Sequence, residues 1–187
     1  EEAMYRMDQA AAVGACRIIV GPPRRSVDIN QVAERYRELL EIGREKGVLP
    51  ALEFLGFVTG VSTIRSAWEI VTMTGDPDGS IVLDSFHIFR GGSSIDDIDL
   101  IPPERIAVFH LNDAPGSKPR EEQNDADRVL PGDGILPLHD MLTRLARKGY
   151  KGAISLELFN RELWKLDPIQ VAREGLNRMQ KIIREIK

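Results

Sequence analysis

The sequence predicts an α/β protein, specifically part of a (β/α)8 barrel built on a parallel sheet, and three observations lead there. Five short apolar runs alternate with segments of helical periodicity, the pattern of right-handed βαβ units. Four of those runs carry a carboxylate or a histidine, Glu53, Asp84, His110 and Glu157, within or at the end of a strand that should be buried on both faces. A doubly wound sheet gathers its ligands at one switch point, whereas a barrel draws functional groups from the C-terminal ends of many strands. The third observation is length. A complete barrel takes about 250 residues, so five strands imply that about three are absent from the front of this sequence. Residues 1–187 then read as a single barrel domain holding its C-terminal five βα units.

The elements follow in order. Small and apolar residues between Met4 and Gly14 suit a helix, and Cys16 to Val20 is a short β-branched run that stops at Gly21-Pro22-Pro23. Asp28 is placed to cap a helix whose apolar residues Ile29, Val32, Tyr36, Leu39, Leu40 and Ile42 recur at three- and four-residue intervals, ending near Gly47. Leu49 to Leu55 is the second strand, and Ser62 and Thr63 open a helix reaching Thr72. Ser80 to Leu83 forms the third strand, running directly into Asp84-Ser85-Phe86-His87. After a Gly-Gly-Ser-Ser loop and an acidic helix-like stretch from Ile95 to Leu100, Ile106 to Phe109 makes the fourth strand, ending at His110. A polar loop spans Asn112 to Gly134. Pro137 to Gly149 reads as a helix, Ala153 to Leu158 as the fifth strand, and Asp167 to Ile186 as an amphipathic helix with a basic end.

Composition excludes several classes of function. With 42% hydrophobic and 29% charged residues the chain resembles an ordinary soluble domain, and its net charge of -4 comes without a basic stripe to neutralise a nucleic-acid backbone. Nucleic acid is therefore a poor partner. No apolar run reaches the length of a membrane span, and the charged start is not a secretory signal. The lone cysteine, Cys16, cannot form an internal disulfide, sits in an apolar run as a small core residue, and fits a reducing cytoplasm.

The chemistry rests on Glu53, Asp84, His110 and Glu157, which lie about one βα unit apart with a wider last gap. Converging carboxylates repel one another and raise each other's pKa values unless a cation sits among them. Oxygen and imidazole donors suit one hard or borderline divalent ion. Any one of the acidic residues alone would more simply cap a helix or pair with an arginine, but four in register point to a shared ion.

Five motifs then resemble a known family: ALEF at 51–54, LDSFH at 83–87, FHLND at 109–113, ADRVLPGDG at 126–134 and SLELF at 155–159. They are similar to the xylose-isomerase-like TIM barrels, within the branch of tagatose epimerases and inosose isomerases, and the likeness runs from Ala12 onward. The resemblance implies that Glu53, Asp84, His110 and Glu157 hold one metal, manganese, cobalt, magnesium or zinc. It further implies that Glu53 and Glu157 act as acid and base on opposite faces of a sugar or polyol-derived ketone, moving protons through a metal-stabilised enediolate. Reprotonation on the other face gives an epimerase, delivery to the neighbouring carbon an isomerase, and loss of a β-hydroxyl a dehydratase. His87 and Arg128 match residues that bind substrate oxygens. Asn112 and Asp113 are placed to orient His110 through its second ring nitrogen. The family's habit also makes a homo-oligomer compatible with this chain.

Three rivals remain. A 3-dehydroshikimate or inosose dehydratase would use the same site. An endonuclease IV-like repair enzyme would need further metals, and its D-R-H stretch is here Asp127-Arg128-Val129, which removes an imidazole. A non-catalytic sugar-binding barrel would not need the intact Glu53 and Glu157. His139, at the start of a helix, reads as structural. Gly91 to Ser94 reads as a connector, since no Walker-type lysine follows.

Overall fold

A computed structural model describes residues 1–26 and 28–186. Helix α1 (Glu2–Ala12) leads into β1 (Arg17–Val20), then α2 (Ile29–Lys46), β2 (Leu49–Glu53), α3 (Ile64–Met73), β3 (Ser80–Asp84) and α4 (Ser85–Gly91). The chain continues through β4 (Ile106–Leu111), α5 (Leu138–Arg147), β5 (Ala153–Leu156) and α6 (Pro168–Arg184). The helix starts obey local chemistry. The Asp28 carboxylate accepts from Asn30 N–H, Thr63 and Ser66 form a reciprocal capping box, and Gly47 ends α2 in the left-handed conformation at φ 69°.

All five strands are parallel and each pairs with the next in sequence, in the order β1-β2-β3-β4-β5. This order never reverses, so the sheet has no switch point and curls as a barrel wall does. The inner strands β2, β3 and β4 are largely buried, with Ile81, Leu83 and Phe109 fully enclosed against Leu40 of α2 and Ile64 and Ile70 of α3. One hydroxyl ties these layers together. Tyr36 Oη of α2 lies 2.9 Å from the carbonyl oxygens of both Pro50 and Ser80, and accepts from Ser80 N–H at 3.1 Å.

Two expectations change. Cys16, expected as a small core residue, is exposed just before β1, which lies at the edge of the described sheet with side chains alternating between exposed and half-buried. The helix-like stretch expected from Ile95 to Leu100 is present, as a 3₁₀ helix capped by Ser94. Helix α4 was not expected at all: it is seven residues long and its residues Ser85 to Ile88 are all buried, so it shows no amphipathic period. The chain therefore turns into a helix immediately after Asp84, which caps it by accepting from His87 N–H at 2.9 Å.

Helix α4 is held close to the loop after β2 by two glycines. A Cβ on Gly91 would drive into the Ser62 carbonyl and sit 3.2 Å from Gly56 Cα. Gly91→Ala should therefore cost about 1–3 kcal/mol of stability, as overpacking against backbone does. A lowered midpoint of denaturant unfolding at unchanged slope is the expected reading, and a wild-type midpoint would show that this contact yields freely.

Candidate metal centre

Register explains how four residues distant in sequence meet. Asp84 of β3 lies directly opposite His110 of β4, while Glu53 is opposite Val82 and His110 is opposite Ser155. Side chains alternate faces along a strand. Glu53 thus shares a face with Val82 and Asp84, and Glu157, two residues beyond Ser155, shares a face with His110. The result is a cluster at the C-terminal ends of β2 to β5 in which one donor atom from each residue lies within 4.8 Å of all the others.

His110 Nδ1 is the hub of the cluster, 3.2 Å from Glu53 Oε1, 3.4 Å from Glu157 Oε2 and 3.8 Å from Asp84 Oδ2. An ion with bonds of about 2.0–2.2 Å in a tetrahedron would set its donors about 3.3–3.6 Å apart. The donor set therefore fits a divalent ion with small side-chain adjustments. Glu53, Asp84 and His110 are buried and Glu157 is half-buried, leaving the Glu157 side open to approach.

Charge in the cluster shifts two protons. Burial alone would lower the His110 pKa, but hydrogen bonds and charges from Glu157 and Glu53 outweigh it and push the imidazole up to about 10. Burial likewise favours the neutral acid at Glu157. His110 and Arg128 override that and hold the Glu157 carboxyl below its ordinary range.

Arg128, expected to contact substrate, reaches the cluster itself. Its side chain is 1% exposed and lies between the rings of Phe86 and Phe159, 5.1 Å and 5.3 Å from their centroids. Nη1 donates to Asp84 Oδ2 at 2.8 Å and to Glu157 Oε2 at 2.7 Å, and Nη2 donates to Asp125 Oδ1 at 2.7 Å. His87 stands beside it in the first turn of α4, walled by the ring edges of Phe54, Phe57 and Phe86. Its Nδ1 accepts from Gly56 N–H at 3.3 Å and its Nε2 lies 3.1 Å from Arg128 Nη2.

The residues after β4 act differently from the expected orientation of His110. Asp113 Oδ1 accepts from Ala114 and Leu136 N–H, and Oδ2 from Gly132 and Gly134 N–H, at 2.9–3.1 Å. Among the described residues no hydrogen bond joins it to His110. Asp113 instead folds the loop back: its backbone pairs with Val129 in both directions at 3.0 Å, which delivers the adjacent Arg128 to the site. Asn112 serves Asp84, donating from Nδ2 to Oδ2 at 3.0 Å, and its backbone is tied to Ser85 Oγ of α4.

The sequence reading missed Asp125, Ser85, Phe57 and Phe159. Asp125 alone left a signal, standing three residues before Arg128. Asp125 and Phe159, both in contact with Arg128, line a cleft of about 670 Å³ together with Phe57, Arg90, Arg161 and Trp164. No helix among the described residues is long and apolar enough to cross a membrane.

Comparison with known proteins agrees with this fold. Residues 1–182 match the model of the xylose isomerase-like TIM barrel family. The chain is 41% identical over 130 residues to an inosose isomerase of Halalkalibacterium halodurans, covering 69% of this chain and 46% of that protein. It is 30% identical over 130 residues to a 3-dehydroshikimate dehydratase of Pseudomonas aeruginosa, covering 69% of this chain and 20% of that protein. A crystal structure of the IolI protein with a bound zinc atom superposes with a TM-score of 0.91 at 27% identity, covering 100% of this chain and 69% of that one. The chain thus spans about half the length of the inosose isomerase it matches.

Proposed function

The chain belongs to the xylose isomerase-like TIM barrel family, and on that premise we propose that it is a divalent-metal-dependent isomerase or epimerase of a sugar or polyol-derived ketone, with inososes the leading class. The observation that carries this reading is the order of the cluster across the sheet. Glu53 and Glu157 come from β2 and β5 and flank the Asp84 and His110 pair from β3 and β4, so a ketone lying over the centre meets a carboxylate on either side.

When bound, the ion supplies positive charge beside the carbonyl oxygen and so lowers the cost of the anion formed by proton removal. The remaining work belongs to the side chains. Glu157 takes or returns the proton on one face. Glu53 serves the other. His87, fixed by Gly56 N–H and three aromatic rings, directs its Nε2 toward substrate oxygens.

A second reading, loss of a β-hydroxyl to give a dehydratase, is supported by the likeness to a 3-dehydroshikimate dehydratase. One experiment separates them: the chain is loaded in turn with manganese, cobalt, magnesium and zinc, ion content is measured, and deuterium uptake from heavy water is followed with inososes, ketohexoses and 3-dehydroshikimate. One ion per chain and uptake into an inosose is the expected outcome. Water loss from 3-dehydroshikimate would favour the second reading, and ion binding with no exchange into any ketone would end both.

A further inference from the structure

We propose that Arg128 is a built-in stand-in for the cation: with the site empty its guanidinium neutralises Asp84 and Glu157, and ion binding displaces it from both carboxylates toward the cleft. The inference rests on the reading of Glu53, Asp84, His110 and Glu157 as one metal site, and it concerns what this chain does before the ion arrives.

Lone-pair accounting favours the displacement at the oxygen that faces the cluster. Asp84 Oδ1 accepts from the amide of His87, while Oδ2, 3.8 Å from His110 Nδ1, already accepts two hydrogen bonds, from Asn112 Nδ2 at 3.0 Å and Arg128 Nη1 at 2.8 Å. A carboxylate oxygen offers two lone pairs, so an ion bonding Oδ2 displaces one donor. Asn112 is anchored through its backbone to Ser85 Oγ. The donor that gives way is Arg128. The same Nη1 also contacts Glu157 Oε2 at 2.7 Å, so one displacement frees an oxygen on each of two ligands.

The guanidinium has three close carboxylate partners but is poorly served at Nε and on the His87 side of Nη2. Its Nε–H is buried without a partner, an arrangement that costs stability because the donor has lost its water. Its Nη2 faces His87 Nε2 at 3.1 Å, yet the same imidazole already accepts from Gly56 at Nδ1. A neutral imidazole that accepts at Nδ1 carries its proton on Nε2, which sets a donor against a donor. What holds Arg128 there is attraction to Asp84 and Glu157, and a divalent ion supplies the same attraction at shorter range.

A route out exists. Asp125, partly exposed at the cleft wall, already holds Nη2 at 2.7 Å. The Phe86 and Phe159 rings stack on the guanidinium plane without fixing its position along the slot. Pivoting about Asp125 would carry Nη1 from the carboxylates to the cleft, where a substrate oxygen could take it. The order of events follows: ion first, then a freed guanidinium, then substrate.

The test uses zinc as probe with the full chain, wild type beside Arg128→Met and Arg128→Lys. Zinc affinity comes from chelator competition, and the Arg128 Nε–H and Nη resonances are followed by ¹⁵N NMR during the titration. Expected are at least a tenfold tighter affinity in Arg128→Met, a lower melting temperature of that variant without zinc, and recovery of that temperature with zinc. Wild-type Arg128 resonances should move as one zinc binds. Removing a charge alone would also tighten zinc, so Arg128→Lys and the resonances decide between the two causes. The lysine keeps the charge without the fork and should bind zinc more tightly than wild type. Unmoved Arg128 resonances, or wild-type affinity in the lysine variant, would overturn the inference while leaving the metal site intact. Failure of wild type to bind zinc would overturn both.

Discussion

Glu157→Gln and Glu53→Gln should each slow interconversion of substrate and product by about 10²–10⁴-fold, the usual contribution of a positioned general acid or base. The two losses should be complementary. A carboxylate amide keeps the shape and one oxygen but cannot accept a proton, so each variant retains exchange only with the epimer whose C–H faces the surviving carboxylate. Both changes also weaken a metal ligand, since Glu53 Oε1 and Glu157 Oε2 both belong to the cluster around His110 Nδ1. Rates are therefore compared at saturating metal with occupancy measured in parallel. Wild-type interconversion by either variant with its ion bound would defeat the two-carboxylate mechanism. Loss of exchange with both epimers in one variant would point to a single base.

Metal affinity should rise steeply with pH. Among its own carboxylates, without an ion, the His110 imidazole is pushed up to about 10 from an ordinary 6.5, so it is protonated at neutral pH, and an ion must expel that proton to use Nδ1. Affinity then climbs about tenfold per pH unit below pH 10, as expected when one ligand is protonated. Glu157, held below its ordinary range, is ionised throughout and adds no slope. The sign for folding of the ion-free protein is opposite. A raised histidine pKa contributes stability that is complete below about 6.5 and lost as pH rises through about 10. Calorimetric titration in buffers of differing ionisation enthalpy should find about one proton released per ion at pH 7. An affinity flat between pH 6 and 8 would show that His110 is neutral before the ion binds.

Element order was legible because it depends on local pattern. Each of the five apolar runs read as a strand is a strand in the structure, and the caps at Asp28 and Thr63 are where residue chemistry placed them. Helix α4 was not legible, because a short helix buried around Ser85 to Ile88 has no polar face to announce it. The same limit hid the exposure of Cys16, since an apolar run does not say whether its strand lies at an edge.

By itself the sequence determined one polar residue at or near the end of each of four successive strands, about one βα unit apart, an order that a parallel sheet converts into one cluster. That much is legible because strand and helix segments are set by local pattern. Only the tertiary structure decided how the cluster is staffed. Asp113 holds the returning loop instead of His110, and Asp125 grips Arg128. Arg128 lies against Asp84 and Glu157, where a cation would bind. Those contacts join residues through loops whose path is set by the sum of many weak interactions, and no local pattern in the chain records where such a loop comes to rest.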